Sequence, residues 1–487
     1  MPTIDEIRES RMHKLETLRS HGIDPYPPDC NRDTTIADLV RDFDVRAAAQ
    51  KKNCIAGRIM SLRLHGGSAF ADLFDGTGRI QIYLKSDKVG EEQYKLFVDT
   101  IDASDFIEVA GEPFLTKRGE KSVMVSTWRI LAKSLRPIPD EWFGLKDEEE
   151  RYRKRYIDLL LNEKSAVIAR QRSAFWNSMR QFLLERDFIE VETPVLENTT
   201  GGAEARPFIT HHNALDIDVY LRISAGELWQ KRLLVGGLPR VFEIGRIFRN
   251  EGMSREHLQD YTQLEFYMAY SDYQQGMEMT KELYRRIAHD TFGRTEFTIR
   301  GHKIDLAGDW DEYDFSAMIQ KEYKFDPLDV KVDAAARALD KAGIEYDATT
   351  LTVERGVDML WKKIRKNIVG PGFLVGVPVY LEPLAKRSRD DNRVVERFQV
   401  IIAGSEVGKG FSELNDPTDQ RERFMRQQEL RDAGDEEAQM ADMDFVEALE
   451  YGMPPAFGFG VSERFFSFLL DEDVREAQLF PLMRPKK

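Results

Sequence analysis

Two short stretches of the 487-residue chain combine acidic, basic and aromatic residues in a strand-like rhythm. Over Val241–Glu251, alternation with period two predicts a strand that sets Glu243, Arg249 and Glu251 on one face. Over Tyr261–Tyr270 the same rhythm groups Tyr261, Gln263, Glu265 and Tyr267, with Leu264, Phe266 and Met268 opposite. Carboxylates and a guanidinium in the middle of a sheet are costly unless they bind a ligand or pair with one another. The pattern alone leaves both outcomes open. A third stretch, Gly458-Phe-Gly460-Val-Ser-Glu-Arg464, predicts a strand with two glycines that passes into an apolar helix beginning near Arg464. Glycines there let a flat ligand approach the backbone, and Arg464 offers a permanently charged fork to a phosphate.

The elements that must position these residues divide the chain unevenly. Residues 1–48 are expected to be a helical lead-in, since Ile4, Ile7, Met12, Leu15 and Leu18 recur at helical spacing before the breaker Pro25-Tyr26-Pro27-Pro28. From 49 to 136 the pattern turns to five strand-like runs, 55–64, 69–73, 79–84, 106–110 and 122–131. Turn signals at His65-Gly66-Gly67, Asp75-Gly76-Thr77-Gly78 and Lys117-Arg118-Gly119 separate three of these junctions. Five strands in so short a span predict a small closed barrel of the OB-fold type, which commonly binds single-stranded nucleic acid by aromatic stacking. Phe70 and Gln81 fall on adjacent strands of it, where each is equally readable as an ordinary core or solvated residue.

A charged linker is expected over 137–155, and a long α+β unit over 156–487. Ile168, Phe175, Met179, Phe182 and Leu183 form one helical stripe before a strand over Phe188–Thr193, which Pro194 closes at an edge or interface. The region from about 275 to 372 reads as a mostly helical insertion without a motif.

Composition sets limits. Two cysteines, Cys30 and Cys54, exclude a disulfide framework, and no Cys/His spacing points to structural zinc. The net charge of −15 means that any RNA binding must come from local basic patches. No run approaches the roughly 20 apolar residues of a membrane span, and Met1–Arg19 has no signal-peptide character, so a cytoplasmic protein is expected.

These blocks carry a resemblance. Phe188–Glu197 with Pro194, Phe248-Arg249-Asn250-Glu251 and Gly458–Arg464 resemble, in order, the three motifs of class II aminoacyl-tRNA synthetases. The runs Gly201–Leu215, Leu233–Gly237, Gly410–Asp416 and Phe480–Pro485 resemble those of the bacterial-type lysyl-tRNA synthetases, class IIb, over nearly the whole chain. The resemblance implies an N-terminal OB-fold that reads an anticodon, and a class II catalytic domain whose antiparallel sheet is flanked by helices. It also implies a homodimer formed through the first motif, with Pro194 at its interface. The implied reaction joins L-lysine and ATP, with Mg2+, to lysyl-adenylate, and then transfers the lysyl group to tRNA(Lys).

By the same resemblance, Arg249 would contact the α-phosphate of ATP and the amino-acid carboxylate, and Glu251 would read adenine. His257 would lie over the triphosphate, Tyr261 would stack where the family usually has phenylalanine, and Arg464 would meet the γ-phosphate. Glu406 would bind magnesium. Gly202 and Glu227 would surround the α-amino group of lysine, and Glu265, Tyr267 and Glu413 its side chain, which agrees with the need of an ammonium for carboxylates. In the barrel, Phe70, Gln81 and Glu120 would contact the uridine-rich anticodon. Four features depart from the family pattern. Lys409 replaces an asparagine, Gln399 replaces a second metal-binding glutamate, Ser224–Lys231 is one residue longer, and Ser462 stands where a glycine is usual. Altered amino-acid or acceptor use, or a catalytically silent tRNA-binding protein, are the competing expectations.

Overall fold

The computed structural model describes residues 3–139, 145, 147–434 and 438–486. The chain forms two compact units that divide between Glu148 and Glu149.

In the first unit, β1 (Asn53–His65), β2 (Ser68–Phe74), β3 (Arg79–Lys85), β4 (Phe106–Leu115) and β5 (Lys121–Ala132) close into a barrel in the order β1-β2-β3-β5-β4. Alternation builds it: Ala69, Ala71, Leu73, Ile80, Ile82 and Leu84 fill the interior, while the residues between them face outward. The lead-in helix Ile4–Ser20 starts in a capping box made by Thr3 and Glu6. It buries Leu15, Leu18 and Arg11, whereas Ile4, expected on its apolar stripe, is exposed. Arg11 replaces it as an anchor, donating to the carbonyls of Ala103 (2.9 Å) and Ser134 (3.2 Å).

The second unit is built on a sheet of eight strands. Its members are β6 (Ile189–Glu190), β10 (Arg240–Phe248), β11 (Asp260–Ala269), β14 (Asp311–Asp314), β15 (Gly372–Val375), β16 (Arg397–Ile402), β17 (Ser405–Ser412) and β18 (Ala456–Ser462). Their order is β14-β15-β16-β17-β18-β11-β10-β6, antiparallel except for the outermost pair at each end. β7 (Leu196–Glu197), β8 (Ile209–His212) and β9 (Ile217–Leu221) make a small separate sheet, and β12 (Glu296–Ile299) and β13 (His302–Asp305) a hairpin. One sheet face packs on the helices Glu163–Leu184, Tyr273–Phe292 and Arg464–Leu470 through Phe175, Phe182, Phe266, Phe459 and Phe465. The opposite face is partly covered by Glu227–Val235 and Val353–Ile364, and it carries the candidate site.

Several expectations are corrected. β10 stops at Phe248, so Arg249 and Glu251 are not strand neighbours of Glu243. There the backbone turns to other partners, Arg249 N–H donating to Gln259 O and Asn250 N–H to Arg206 O, each at 2.7 Å. The strand before Pro194 is only two residues long, because the N–H and hydroxyl of Thr193 donate to the Glu243 carboxylate (3.0 and 2.6 Å) instead of to a ladder. Pro194 itself is exposed beyond that edge strand. Between 275 and 372, where helices predominate, β14 extends the main sheet and β12 and β13 form a hairpin. β14 reads Asp-Glu-Tyr-Asp, and charge is tolerated there because it is an edge strand. Of the expected linker, 140–144 and 146 lie outside the described residues, while Arg155 is deeply buried against Asp158 (2.7 Å) and Glu476 (3.3 Å).

Phe266 is fully buried, with ring centroids of Phe188, Phe457 and Phe459 at 5.5 to 5.9 Å. Phe266→Ala is expected to lower the stability of the second unit by about 3–5 kcal/mol, measured by urea unfolding.

Candidate active site

Register places the chemistry on two rungs that cross five strands. Gln399, Lys409, Gly460, Glu265 and Glu243 stand opposite one another from β16 to β10. The adjacent rung on the same face is Arg397, Phe411, Gly458, Tyr267 and Val241. Gly460 therefore sits between Lys409 and Glu265, and Gly458 between the rings of Phe411 and Tyr267. A Cβ on Gly458 would collide with Glu413 Oε1 and meet the Tyr267 ring at 2.5 Å, so only glycine leaves this floor open.

Above the floor starts the helix Glu227–Val235. Gly226 precedes it with φ +79°, and a Cβ there would run into the Thr193 side chain. The glycine thus lets the chain turn past Thr193 and sets Glu227 in the first helical turn. Gly202, with φ +84°, packs so closely that a Cβ would lie 2.7 Å from Glu227 Cβ. Lys231, one turn after Glu227, points down the same side, its Nζ 2.8 Å from Glu227 Oε1 and 2.5 Å from Glu413 Oε2. The rings of Tyr267 and Phe411 lie 5.7 and 5.3 Å from that ammonium.

Glu227, Glu265, Tyr267 and Glu413 are all buried. Glu265 accepts from Ala225 N–H (2.9 Å), Gln263 (2.5 Å) and the Tyr267 hydroxyl (3.1 Å). Burial, with Glu227 next, pushes the Glu265 carboxyl up to about 7. Burial pushes Glu413 up to about 8 against the pull of Lys231, and Glu227 and Glu265 add to the rise. Lys231 stays cationic, because Glu227 and Glu413 outweigh the cost of its burial. Glu413 Oε1 has no hydrogen-bond partner among the described residues, an orphaned acceptor directed at the floor beside Tyr267 and Gly458.

A second cluster is cationic. Arg249 donates to Ile223 O (3.2 Å), and its guanidinium lies 5.8 Å from the Tyr261 ring. Arg464 donates to the Glu406 carbonyl, approaches Glu256 (3.7 Å) and contacts His257 Nε2 (3.5 Å). Burial and then Arg464 hold the His257 ring below its usual range, so it is neutral near pH 7. Tyr261 joins the two clusters: burial raises its hydroxyl, and Arg249, Arg464, Glu251 and Glu265 all act on it.

Glu406 accepts from Trp361 Nε1 (2.9 Å) and faces Arg365 (3.9 Å). Burial opposes its ionisation, yet Arg365 and Trp361 hold it below the usual carboxylate range. No group of three or more potential metal ligands exists among the described residues. Mg2+ is commonly held by one or two carboxylates together with substrate phosphates and waters, so Glu406 fits one such ion. Gln399 fits a metal poorly, because its amide oxygen already accepts from Arg397. Lys409 pairs with Glu382 (3.2 Å), which Arg397 holds from its other side (3.1 Å). Sequence reasoning missed Lys231, Glu256, Arg365 and Glu382. Only Lys231 had a signal, its spacing of four residues from Glu227.

Phe70, Gln81 and Glu120 belong to the barrel. Phe70 stacks on Tyr83 with centroids 4.3 Å apart, and Tyr83 lies 6.1 Å from Phe114. Gln81, two residues before Tyr83 on the same outer face, accepts from Ser122 (3.0 Å), and Glu120 immediately precedes β5. Tyr83 and Phe114 thus extend the expected aromatic surface.

The family model described as class II tRNA synthetases (D, K and N) matches residues 147–484, and that of an OB-fold nucleic acid binding domain matches 54–131. The chain belongs to the class II tRNA synthetase family. Among its curated relatives, the lysine–tRNA ligase of Thermotoga maritima is 42% identical over 99% of this chain and 97% of its own. That of Roseiflexus sp. strain RS-1 is 43% identical over 99% of both chains, and that of Thermoanaerobacter sp. strain X514 44% identical over 99% of this chain and 97% of its own.

Carbon-13 NMR of labelled glutamate should find three carboxyls titrating between about pH 7 and 8 in the ligand-free protein, those of Glu265 and Glu413 and that of Glu197, which burial also pushes up to about 7. Glu265→Gln and Glu413→Gln should each remove one of them.

Proposed function

We propose that this protein is a lysine–tRNA ligase that activates L-lysine with ATP and transfers it to tRNA(Lys) in the cytoplasm. The observation that carries the reading is the orphaned oxygen of buried Glu413, set among Glu227, Glu265 and Tyr267 beside a guanidinium cluster. Buried carboxylates attract an ammonium, and arginines attract phosphate and carboxylate, so the two ends of this site match an amino acid with a cationic side chain and a nucleotide triphosphate. The names of the full-length relatives give the same substrate.

In this reading Glu265, Tyr267 and Glu413 receive the side-chain ammonium of lysine, and Glu227 with Gly202 the α-amino group. Arg249 holds the lysine carboxylate against the α-phosphate. Tyr261 stacks on adenine, Glu251 reads its amino group, and His257 and Arg464 hold the outer phosphates. A carboxylate oxygen of lysine attacks the α-phosphorus and pyrophosphate leaves. A hydroxyl of the terminal adenosine of tRNA then attacks the lysyl carbonyl carbon and AMP leaves. Positioning and charge neutralisation supply the rate, and no covalent enzyme nucleophile takes part. Magnesium, held at Glu406 with the phosphates, would supply further neutralisation of the triphosphate.

Outside the site, Phe70 with Tyr83 offers a stacking surface for unpaired bases, with Gln81 and Glu120 beside it for hydrogen bonds to the anticodon. Exposed Ile189, Val195, Leu196, Ile209 and Ile217 around Pro194 suit burial in a homodimer. No helix among the described residues is long and apolar enough to cross a membrane.

Exchange between pyrophosphate and ATP is expected with lysine and with no other standard amino acid. Exchange driven only by another amino acid overturns the substrate assignment, and absence of exchange overturns the enzymatic reading. Gly458→Ala should reduce lysine-dependent exchange by about 100-fold through displacement of Glu413 and Tyr267. Phe70→Ala should leave exchange intact and weaken tRNA binding by about 1–3 kcal/mol, read by filter binding.

A further inference from the structure

Lys231 has no part in the chemistry described so far, yet it is the most enclosed cation of the site. Its side chain is almost wholly buried, and its Nζ bridges Glu227 (2.8 Å) and Glu413 (2.5 Å) on two different elements. These two carboxylates sit at opposite ends of the lysine in the reading above, and Lys231 holds both from one side. The groups facing the bridge are Glu227 from the helix, Glu413 beyond β17, and Glu265 and Tyr267 from β11. Two buried carboxyls thus share the ammonium of Lys231, and a third, Glu265, lies beside them without a cation partner among the described contacts.

Without a cation such a cluster binds protons instead of an ammonium, since like charges confined in a poorly solvated space cannot all ionise. A cluster that is fully neutralised by its own residues has no charge left for a ligand. One ammonium among three carboxyls lies between these limits. We propose that Lys231 is a positioning residue for amino-acid recognition: its ammonium holds the carboxyls of Glu227 and Glu413 in place from one side, while leaving the pocket deficient in positive charge. The incoming lysine makes good that deficit. Its binding displaces protons from the pocket, and affinity rises with pH until the substrate ammonium itself deprotonates. Glu413 fits this arrangement: Oε2 lies within ion-pair distance of Lys231, yet neither carboxyl oxygen has a hydrogen-bond partner among the described residues, so the group is open to the substrate.

The inference rests on the lysine–tRNA ligase reading, and the test separates the two. Steady-state pyrophosphate exchange is measured from pH 6 to 9 for the wild type, Lys231→Met and Lys231→Arg, with lysine and ATP varied in turn. Lys231→Met is expected to raise the KM for lysine at pH 7 by about tenfold or more. It should move the acid limb of kcat/KM for lysine upward by about one pH unit, the equivalent of that factor. The KM for ATP should stay unchanged, and Lys231→Arg should keep the acid limb in place. A Lys231→Met enzyme with the wild-type acid limb overturns the inference, as does one that binds lysine more tightly, since the side chain would then be a competitor. A loss that is equal at every pH and shared by ATP also overturns it, because it marks mere structural support. Should Lys231→Met not fold, calorimetry of lysine binding to the wild type in buffers of different ionisation heat decides. Release of protons between pH 6.5 and 8 is expected, and no release overturns the proposal. A wild type without lysine-dependent exchange overturns the functional reading itself.

Discussion

The burial of Glu227, Glu265 and Glu413 around one ammonium is the constraint on which the rest of the catalytic unit depends. Three carboxylates in a protein interior are tolerable only if each is fixed, hydrogen-bonded or compensated. The sheet fixes Glu265 in mid-strand between Gly460 and Glu243. The Gly226 turn fixes Glu227 at a helix start, and the chain beyond β17 brings Glu413 beneath Lys231. The missing side chain of Gly458 is as necessary as those present, because the space it leaves holds Glu413 and Tyr267. Glu243, on the same rung, takes the opposite solution: it is compensated within the protein by Arg222 and Thr193.

Charge is segregated along the site. Carboxylates gather around Tyr267, and guanidiniums gather around Tyr261, six residues earlier on the same face of β11. A single strand thereby carries both halves of the specificity, with the phenol of Tyr267 among acids and that of Tyr261 among cations. On the reading proposed above, the α-carboxylate of lysine falls where the two regions meet, which is where Arg249 stands.

Much of this was legible in the sequence. Period-two alternation identified β11 and the buried interior of the barrel, because side chains there simply follow the pleat. Alternation failed at Arg249 and Glu251, where backbone hydrogen bonds to Gln259 and Arg206 end the strand although the residue pattern continues. It failed again at β14, whose acidic residues conceal an edge strand. Glu382 was invisible for another reason: its partners Arg397 and Lys409 come from other elements, and no local pattern encodes such a meeting. Lys231 was written in plain view, but a Glu and a Lys four residues apart on a helix ordinarily form a surface pair, and only burial gives this one its meaning. The roles of Gly202, Glu406 and Glu413 came from resemblance, since nothing in their local sequence carries chemistry.

The pair of Lys409 and Glu382 has a consequence for selective inhibition. Lys409 shares the rung of Glu265, separated from it by the bare backbone of Gly460, and 45% of its side chain remains accessible. The resemblance described at the outset implies a neutral asparagine at that place in the usual pattern. An adenylate mimic extended by an anionic arm across Gly460 would gain a charged partner here and find none in an asparagine-bearing enzyme. Lys409 is therefore a handle by which a small molecule could tell this protein from an enzyme with a neutral side chain there.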